Sequence, residues 1–407
     1  LGEAAKKYSR RKVVKTALAG AAAAGALAVA GGAGLKPATQ ARAAEYRKPG
    51  NHHLAWVWQF DPGTDGTIEQ IRSHLAFYGV GIILKTHDGT SWMSRYDPNP
   101  TAVSGGPKVR ELANFFEEGG VPFHAWCVVK GLDPIREAHM AAEVLGNGAR
   151  SLVLDLEPSD GGSFWQGTPE AARAFGQELR NLQPNAWISV APDPRPWQVE
   201  QVPMQEFASF SNEIAPQTYW PTFDSSANYR LLRERGYHVG PEGMTPELIL
   251  DVAKQVFGPY WMPIRPVGSG AADPESWNRF VDHARRLDMW AVSVWRFGTA
   301  NPAVFNVLGE KKPIPNEFYG DDWSAAFEAN ARARKADNFQ SPPPVAEPQS
   351  VPNAEPPVRI TALGSREATS EKQGIEDLYR SRRVLVEDVQ DNRPRFRNFW
   401  ADPRGSR

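Results

Sequence analysis

The chain has 407 residues, with 46 Lys and Arg against 47 Asp and Glu, and one cysteine. A hydrophobic content of 41% is enough to bury a core, so wholesale disorder is excluded, and a single Cys excludes a disulfide framework within the chain. A net charge of −1 gives no electrostatic case for nucleic-acid binding.

The first fifteen residues carry Lys6, Lys7, Arg10, Arg11, Lys12 and Lys15, and Ala17 to Leu35 is an unbroken run of Ala, Gly, Leu and Val. Ala41-Arg42-Ala43 then fits a small-x-small cleavage site, so residues 1–43 read as an export signal. Ser9-Arg10-Arg11-Lys12-Val13-Val14-Lys15 resembles the twin-arginine motif, which carries folded cargo. The expectation is an exported protein, periplasmic, cell-surface or extracellular, with no membrane segment in its mature form. Cys127 would meet an oxidising compartment unpaired, and is expected to be buried.

From residue 50 to 310 apolar strand-like runs alternate with amphipathic helices. The expected strands are His53–Phe60, Val80–Lys85, Pro122–Val128, Ser151–Glu157, Ala186–Ala191, Glu213–Tyr219, Tyr260–Val267 and Met289–Phe297. They are short, rich in Val, Ile and Trp, and apolar on both faces, as buried parallel strands are. Thr168-Pro169-Glu170, Thr245-Pro246-Glu247 and Asp273-Pro274-Glu275 each set a capping side chain, a first-turn proline and an acid at a helix start. The run from Ser225 to Val256 is expected to hold two helices. Eight strands with intervening helices in this length give an α/β fold, the (β/α)8 TIM barrel. A doubly wound sheet is the alternative, but Gln59-Phe60-Asp61-Pro62-Gly63 follows the first strand where a Gly-rich phosphate turn would stand.

Residues 311–407 form a C-terminal extension. Seven prolines between Ser341 and Val358 exclude a helix or central strand there and mark an extended linker, 341–358. Beyond it, Arg393-Pro394-Arg395-Phe396-Arg397-Asn398-Phe399-Trp400 mixes cations with aromatics, which suits either an inert end or a docking segment for a protein or cell-surface partner.

In a barrel of this kind the loops after each strand build the site. The fourth strand ends Leu154-Asp155-Leu156-Glu157-Pro158, and alternate residues share a face, so Asp155 and Glu157 point together while Leu154 and Leu156 face helices. Two like charges on an apolar strand disfavour joint ionisation, which keeps one acid protonated near neutral pH. The bland alternative is a hydrogen-bonded structural pair at the barrel mouth. Asp193 is a candidate second acid, Tyr219 a donor to substrate or to the second carboxylate, and Gln217 lies on the same strand as Tyr219. Asp61, Lys85, His87 and Asp88 are candidate rim residues. Trp58, Trp92, Trp126, Trp165, Trp220 and Trp295 fall at or beyond strand ends, and an indole offers apolar area to a pyranose face; about half of the six are expected to face the groove. Paired histidines at a strand's C-terminal end are missing, since His52-His53 precede the first strand and His87 and His124 stand alone, so no metal and no cofactor is expected.

The Asp155-x-Glu157 ending resembles the signature of family 25 lysozymes and the end of the motif in family 18 chitinases. Ala215-Pro216-Gln217-Thr218-Tyr219-Trp220 is similar to the aromatic-bearing sixth strand of the chitinase group, and Trp295 stands where those barrels carry a tryptophan floor. Val153 replaces the further acid of the chitinase motif, and Gln59-Phe60-Asp61 replaces the Asp-x-Ser arrangement of the lysozymes. The resemblance covers the barrel region. It implies glycoside hydrolysis of a polysaccharide or peptidoglycan glycan, with Glu157 as general acid and Asp155 orienting an N-acetyl group or stabilising an oxocarbenium-like state. The rival reading is a non-catalytic carbohydrate-binding or surface-assembly protein on the same scaffold.

Overall fold

The computed structural model describes residues 49–159 and 162–315. The proposed signal over 1–43, the linker over 341–358 and the aromatic-basic tail lie outside the described residues.

Eight parallel strands form a ring. They are β1 (Leu54–Val57), β2 (Gly81–Asp88), β3 (Phe123–Val128), β4 (Ser151–Leu156), β5 (Trp187–Pro192), β6 (Glu213–Ile214 with Gln217–Thr218), β7 (Val267–Ser269) and β8 (Ser293–Trp295). Helices α1 (Ile68–Tyr78), α2 (Gly106–Glu118), α3 (Pro134–Gly146) and α4 (Pro169–Leu182) connect the first five strands in turn. Short α5 (Pro196–Val199) and α6 (Met204–Phe210) lead to β6. Then α7 (Ser226–Glu234) and α8 (Pro246–Phe257) lead to β7, α9 (Pro274–Arg286) to β8, and α10 (Pro302–Glu310) closes the order. Ladders run from β1 to β5 in sequence and from β8 to β1, with Leu54 opposite both Gly81 and Ser293.

Closure depends on β6. Its first half pairs with β5, Ser189 opposite Glu213, and its second half pairs with β7, Gln217 opposite Val267. Pro216 sits between the halves. It has no N–H to offer β5, and its carbonyl accepts from Val267 N at 2.8 Å instead. The barrel is therefore closed.

The strand expected over Tyr260–Val267 begins only at Val267. Gly258–Tyr260 is a single 3-10 turn and Trp261 follows in the left-handed region at φ 54°. Pro263 and Pro266 cannot donate to a ladder and give only carbonyls, Pro263 O to Ile214 N at 3.0 Å and Pro266 O to Ser293 N at 2.9 Å, while between them Arg265 N donates to Ile214 O at 2.9 Å, an isolated bridge rather than a strand.

Helix starts follow the sequence signals. Thr168, Thr245 and Asp273 accept from Ala171, Leu248 and Ser276 N–H groups, and Thr67 forms a reciprocal capping box with Gln70. Two apolar layers result. Leu154, Leu156, Phe175, Phe207 and Trp277 pack between sheet and helices, whereas Leu54, Trp56, Ile83, Trp126, Val153 and Val267 fill the barrel. Cys127, on the helix-facing side of β3, is buried.

The N-terminal end of the barrel is plugged by polar groups. Arg265 and Glu213, both buried, pair at 3.2 Å; Ser189 donates to Glu213 at 2.8 Å, and His124 Nδ1 meets Ser151 Oγ at 2.7 Å. Beside the plug, His53 accepts from Val292 N at Nδ1 (3.1 Å) and donates from Nε2 to Lys311 O (2.6 Å), which fixes a neutral ring. Burial lowers its pKa to about 4, and burial lowers those of His52 and His74 to about 4 and of His87 to about 3. Between pH 6.5 and 4 the unfolded chain then binds more protons than the folded one. Stability is fully present above pH 6.5 and lost as pH falls through 4. For His53 alone the loss is about 3 kcal/mol. Urea unfolding measured across that window should show a steep fall, and His53→Gln should flatten it; a free energy independent of pH there would contradict the assignment.

Candidate active site

At the C-terminal end of the barrel the alternation of β4 turns Asp155 and Glu157 inward, with Val153 below them on the axis and Leu154 and Leu156 among the helices. Asp155 is 8% exposed and Glu157 half-buried. The side chain of Gln217 joins them. The Gln217 amide nitrogen lies 2.9 Å from Asp155 Oδ1, 3.0 Å from Glu157 Oε1 and 3.3 Å from Ala191 O. An amide nitrogen has two hydrogens, so the two shorter contacts, both to carboxylates, take them.

Burial pushes the Asp155 carboxyl well above the usual carboxylate range, the Glu157 charge adds to this, and Lys85 opposes it. Ionising both acids at once is therefore disfavoured. Tyr219, two residues beyond Gln217 and on the same face of the chain, packs half-buried against the barrel-interior cluster.

Beneath and beside the acids stand three indoles. Trp56, Trp126 and Trp295 meet edge to face with ring centroids 5.3, 5.6 and 5.8 Å apart. Trp56 donates to Ser293 Oγ and Trp126 to Val57 O, both at 3.0 Å. Trp295 is the half-buried member, and its peptide bond to Arg296 is cis. Trp126 is only 2% exposed and carries the Lys85 ammonium 4.7 Å from its ring centroid, so it is floor beneath the site rather than an open platform. Trp58 is 37% exposed just past β1, with the Arg296 guanidinium 5.7 Å from its ring.

Other expected site residues lie elsewhere. Trp220 is 5% exposed and packs edge-on against Trp277 and tilted against Phe280 of α9; with Gln217 and Tyr219 turned inward, the residue after Tyr219 faces the helices. Trp165 packs on Phe207 in the same outer layer. Asp193 is clamped by its neighbour, Arg195 Nη2 to Oδ2 at 2.6 Å and Nε to both oxygens, an arrangement that consumes its acceptors. Asp61 is exposed and closes a turn on Gly63 N at 2.8 Å.

His87 points away from the mouth. The register of β2 against β3 shifts between Lys85 and His87, with Lys85 opposite Trp126, His87 opposite Cys127 and Asp88 opposite Val128. Thr86 is the extra residue of a bulge. Lys85 and Asp88 therefore both face the axis, where they pair at 2.8 Å, and His87 packs on Trp92 in the outer layer.

Sequence reading missed Trp56, Asp65, Arg265 and Glu213. Alternation from Leu54 marks Trp56 as inward. Opposite charges inside two apolar strands were the available signal for Arg265 and Glu213. Asp65, buried beside Arg296 at 3.4 Å, had no signal in the sequence. Among the described residues no group of His, Cys, Asp and Glu is arranged to hold a metal, and no helix is long and apolar enough to cross a membrane.

No family model matches the chain, and no curated protein matches it. Among solved structures it is similar to a glycoside hydrolase family 18 N-acetylglucosaminidase from Paenibacillus barengoltzii, at 9% identity over 64% of this chain and all of that one, TM-score 0.46. It is also similar to active domain 2 of a Pyrococcus furiosus chitinase (14% identity, 65% and 96% covered, TM-score 0.42). A third is the Bacillus megaterium spore cortex-lytic enzyme SleL (13% identity, 67% and 76% covered, TM-score 0.40).

Proposed function

We propose that the protein is an exported glycoside hydrolase that cleaves a cell-wall or extracellular glycan by acid–base chemistry at the Asp155–Glu157 pair. The observation that carries this reading is the Gln217 amide, which bridges two acids of unequal burial at the barrel mouth. The bridge is neutral, and burial together with the Glu157 charge disfavours ionisation of Asp155, which suits a site that must hold a proton.

Glu157, nearer solvent, is the general acid. Burial and the Glu157 charge favour a proton on Asp155. Passing it to Glu157, and from Glu157 to the glycosidic oxygen as the C1–O bond breaks, leaves Asp155 ionised while positive charge builds at the anomeric carbon. Asp155 then stabilises that charge directly or by orienting an N-acetyl group of the sugar. Tyr219 supplies a donor on the same face, and Trp295 and Trp58 supply apolar area for sugar rings. Oxygens sharing one nitrogen are held within about 6 Å, closer than the roughly 6.5–9.5 Å that an inverting pair needs to admit water. Retention of anomeric configuration is the expected stereochemistry.

The test is release of reducing ends from chitin, peptidoglycan and soluble extracellular polysaccharides, with the first-formed anomer read by proton NMR. A released end in the retained configuration supports the reading. Tight glycan binding with no released end across the panel replaces it with the binding-protein alternative.

A further inference from the structure

Glu137, in the first turn of α3, is 2% exposed. Its carboxylate accepts from four successive backbone N–H groups of the turn that joins β3 to α3. Oε2 takes those of Lys130 at 2.8 Å and Gly131 at 3.2 Å, and Oε1 takes those of Leu132 at 3.2 Å and Asp133 at 3.4 Å. Two carboxylate oxygens offer about four lone-pair sites, so this turn uses the whole accepting capacity of the group. Gly131, at φ 68°, is where the turn enters the left-handed region.

The turn held in this way is packed against the segment that follows the acid pair. Gln166 N donates to Lys130 O at 2.8 Å. Gly131 and Gly167 meet backbone to backbone: a Cβ on Gly167 would stand 2.9 Å from Gly131 O and 2.7 Å from the Trp165 ring. Trp165 N in turn donates to Glu157 O at 3.1 Å, and its indole is set against Phe207. Glu157 depends on such support more than Asp155 does. Asp155 lies within the β4 ladder, opposite Val128 on one side and Ala191 on the other, whereas the regular strand ends at Leu156. Contacts therefore run without a gap from the Glu137 carboxylate, through the turn and the Gly131–Gly167 seam, to the main chain of Glu157.

We propose that Glu137 is a positioning residue for Glu157: its carboxylate fixes the β3–α3 turn, and the turn fixes the Gln166 and Trp165 amides that hold the general acid in place. The proposal rests on the hydrolase reading, which gives Glu157 that role. A buried carboxylate is costly, and four main-chain hydrogen bonds at the rim of the site offset the cost in the one place where a shift of the chain would move a reacting group.

The experiment measures amide hydrogen exchange and glycan cleavage on the full chain, in wild type and in Glu137→Gln. Glutamine keeps one accepting oxygen and sets an NH2 group against the remaining N–H donors. Exchange should quicken at residues 130–133 and also at Trp165 and Gln166. On a natural linkage kcat should fall by about 10–100-fold with KM unchanged, the loss that a misplaced catalytic group gives. On an activated aryl glycoside, whose leaving group departs without a proton, the loss should nearly vanish. Equal losses on the two substrates would mark a merely structural role and overturn the proposal, as would faster exchange confined to 130–133. Should Glu137→Gln not fold, Gly167→Ala takes its place, because a methyl group there parts the seam and leaves the Glu137 carboxylate its four donors. It should show the same contrast between substrates, and undiminished cleavage of the natural linkage overturns the proposal. The exchange measurement needs no substrate: a response at Trp165 and Gln166 in a chain that cleaves no glycan would defeat the hydrolase reading and leave the anchoring of Glu157 standing.

Discussion

Glu157→Gln is expected to reduce glycan cleavage by about 10²–10⁴-fold, the range a positioned general acid contributes. Glutamine is nearly isosteric, and its amide oxygen can still accept from Gln217, so the barrel has no reason to unfold. The loss should fall on kcat with little change in KM, because the proton is delivered only as the bond breaks. It should also depend on the leaving group: an activated aryl glycoside, which departs without protonation, should be cleaved by Glu157→Gln far better than a natural linkage. Parallel assays of the two substrate types read this directly. Equal losses on both, or equal activity of wild type and variant on the natural glycan, would assign the acid elsewhere.

Asp155→Asn is expected to abolish cleavage and to stabilise the fold at the same time. The sign follows from burial. Asp155 takes up protons more readily in the folded state than in the unfolded chain, so its contribution is fully favourable below the unfolded value near pH 4 and is lost as pH rises through the raised folded value. At neutral pH the wild type carries that penalty, and asparagine does not. A gain of about 1 kcal/mol corresponds to a rise in Tm of roughly 2–4 °C for a domain of this size. The gain should shrink as pH is lowered towards 4. Thermal melts of the two proteins at several pH values test this; a variant less stable than wild type at pH 7 would mean that the Asp155 carboxylate is held ionised by partners stronger than Gln217. A site that costs stability is what a functional acid looks like, since a group placed for packing alone has no reason to remain an acid.

Much of this was legible before any coordinates. Each of the eight strands overlaps its expected run, because apolar blocks bounded by capped helices leave few other placements, and the period-two rule turns Asp155 and Glu157 of β4 inward as expected. The misplacement of β7 has a plain cause: Tyr260 to Pro266 is apolar enough for a strand, but Pro263 and Pro266 remove the donors that a ladder needs. The position of Trp220 was readable from the same alternation that places Gln217 and Tyr219, and the attraction of an aromatic near a strand end outweighed it. Thr86 is different. Nothing in Leu84-Lys85-Thr86-His87-Asp88 distinguishes a bulge from a regular strand, and the exchange of His87 for Asp88 on the axis is decided by contacts with β3. Likewise the bridge from Gln217 to two acids some sixty residues earlier is a fact of tertiary register.

The division of β6 at Pro216 has a consequence for when chemistry becomes available to the chain. The strand that supplies the amide between the acids is the same one whose two halves complete the ring, the earlier half joined to β5 and the later to β7. A molecule with that seam unsealed possesses both acids on β4 but lacks the amide that bridges them. On the hydrolase reading proposed above, the bridged pair exists only where both seams of β6 are sealed.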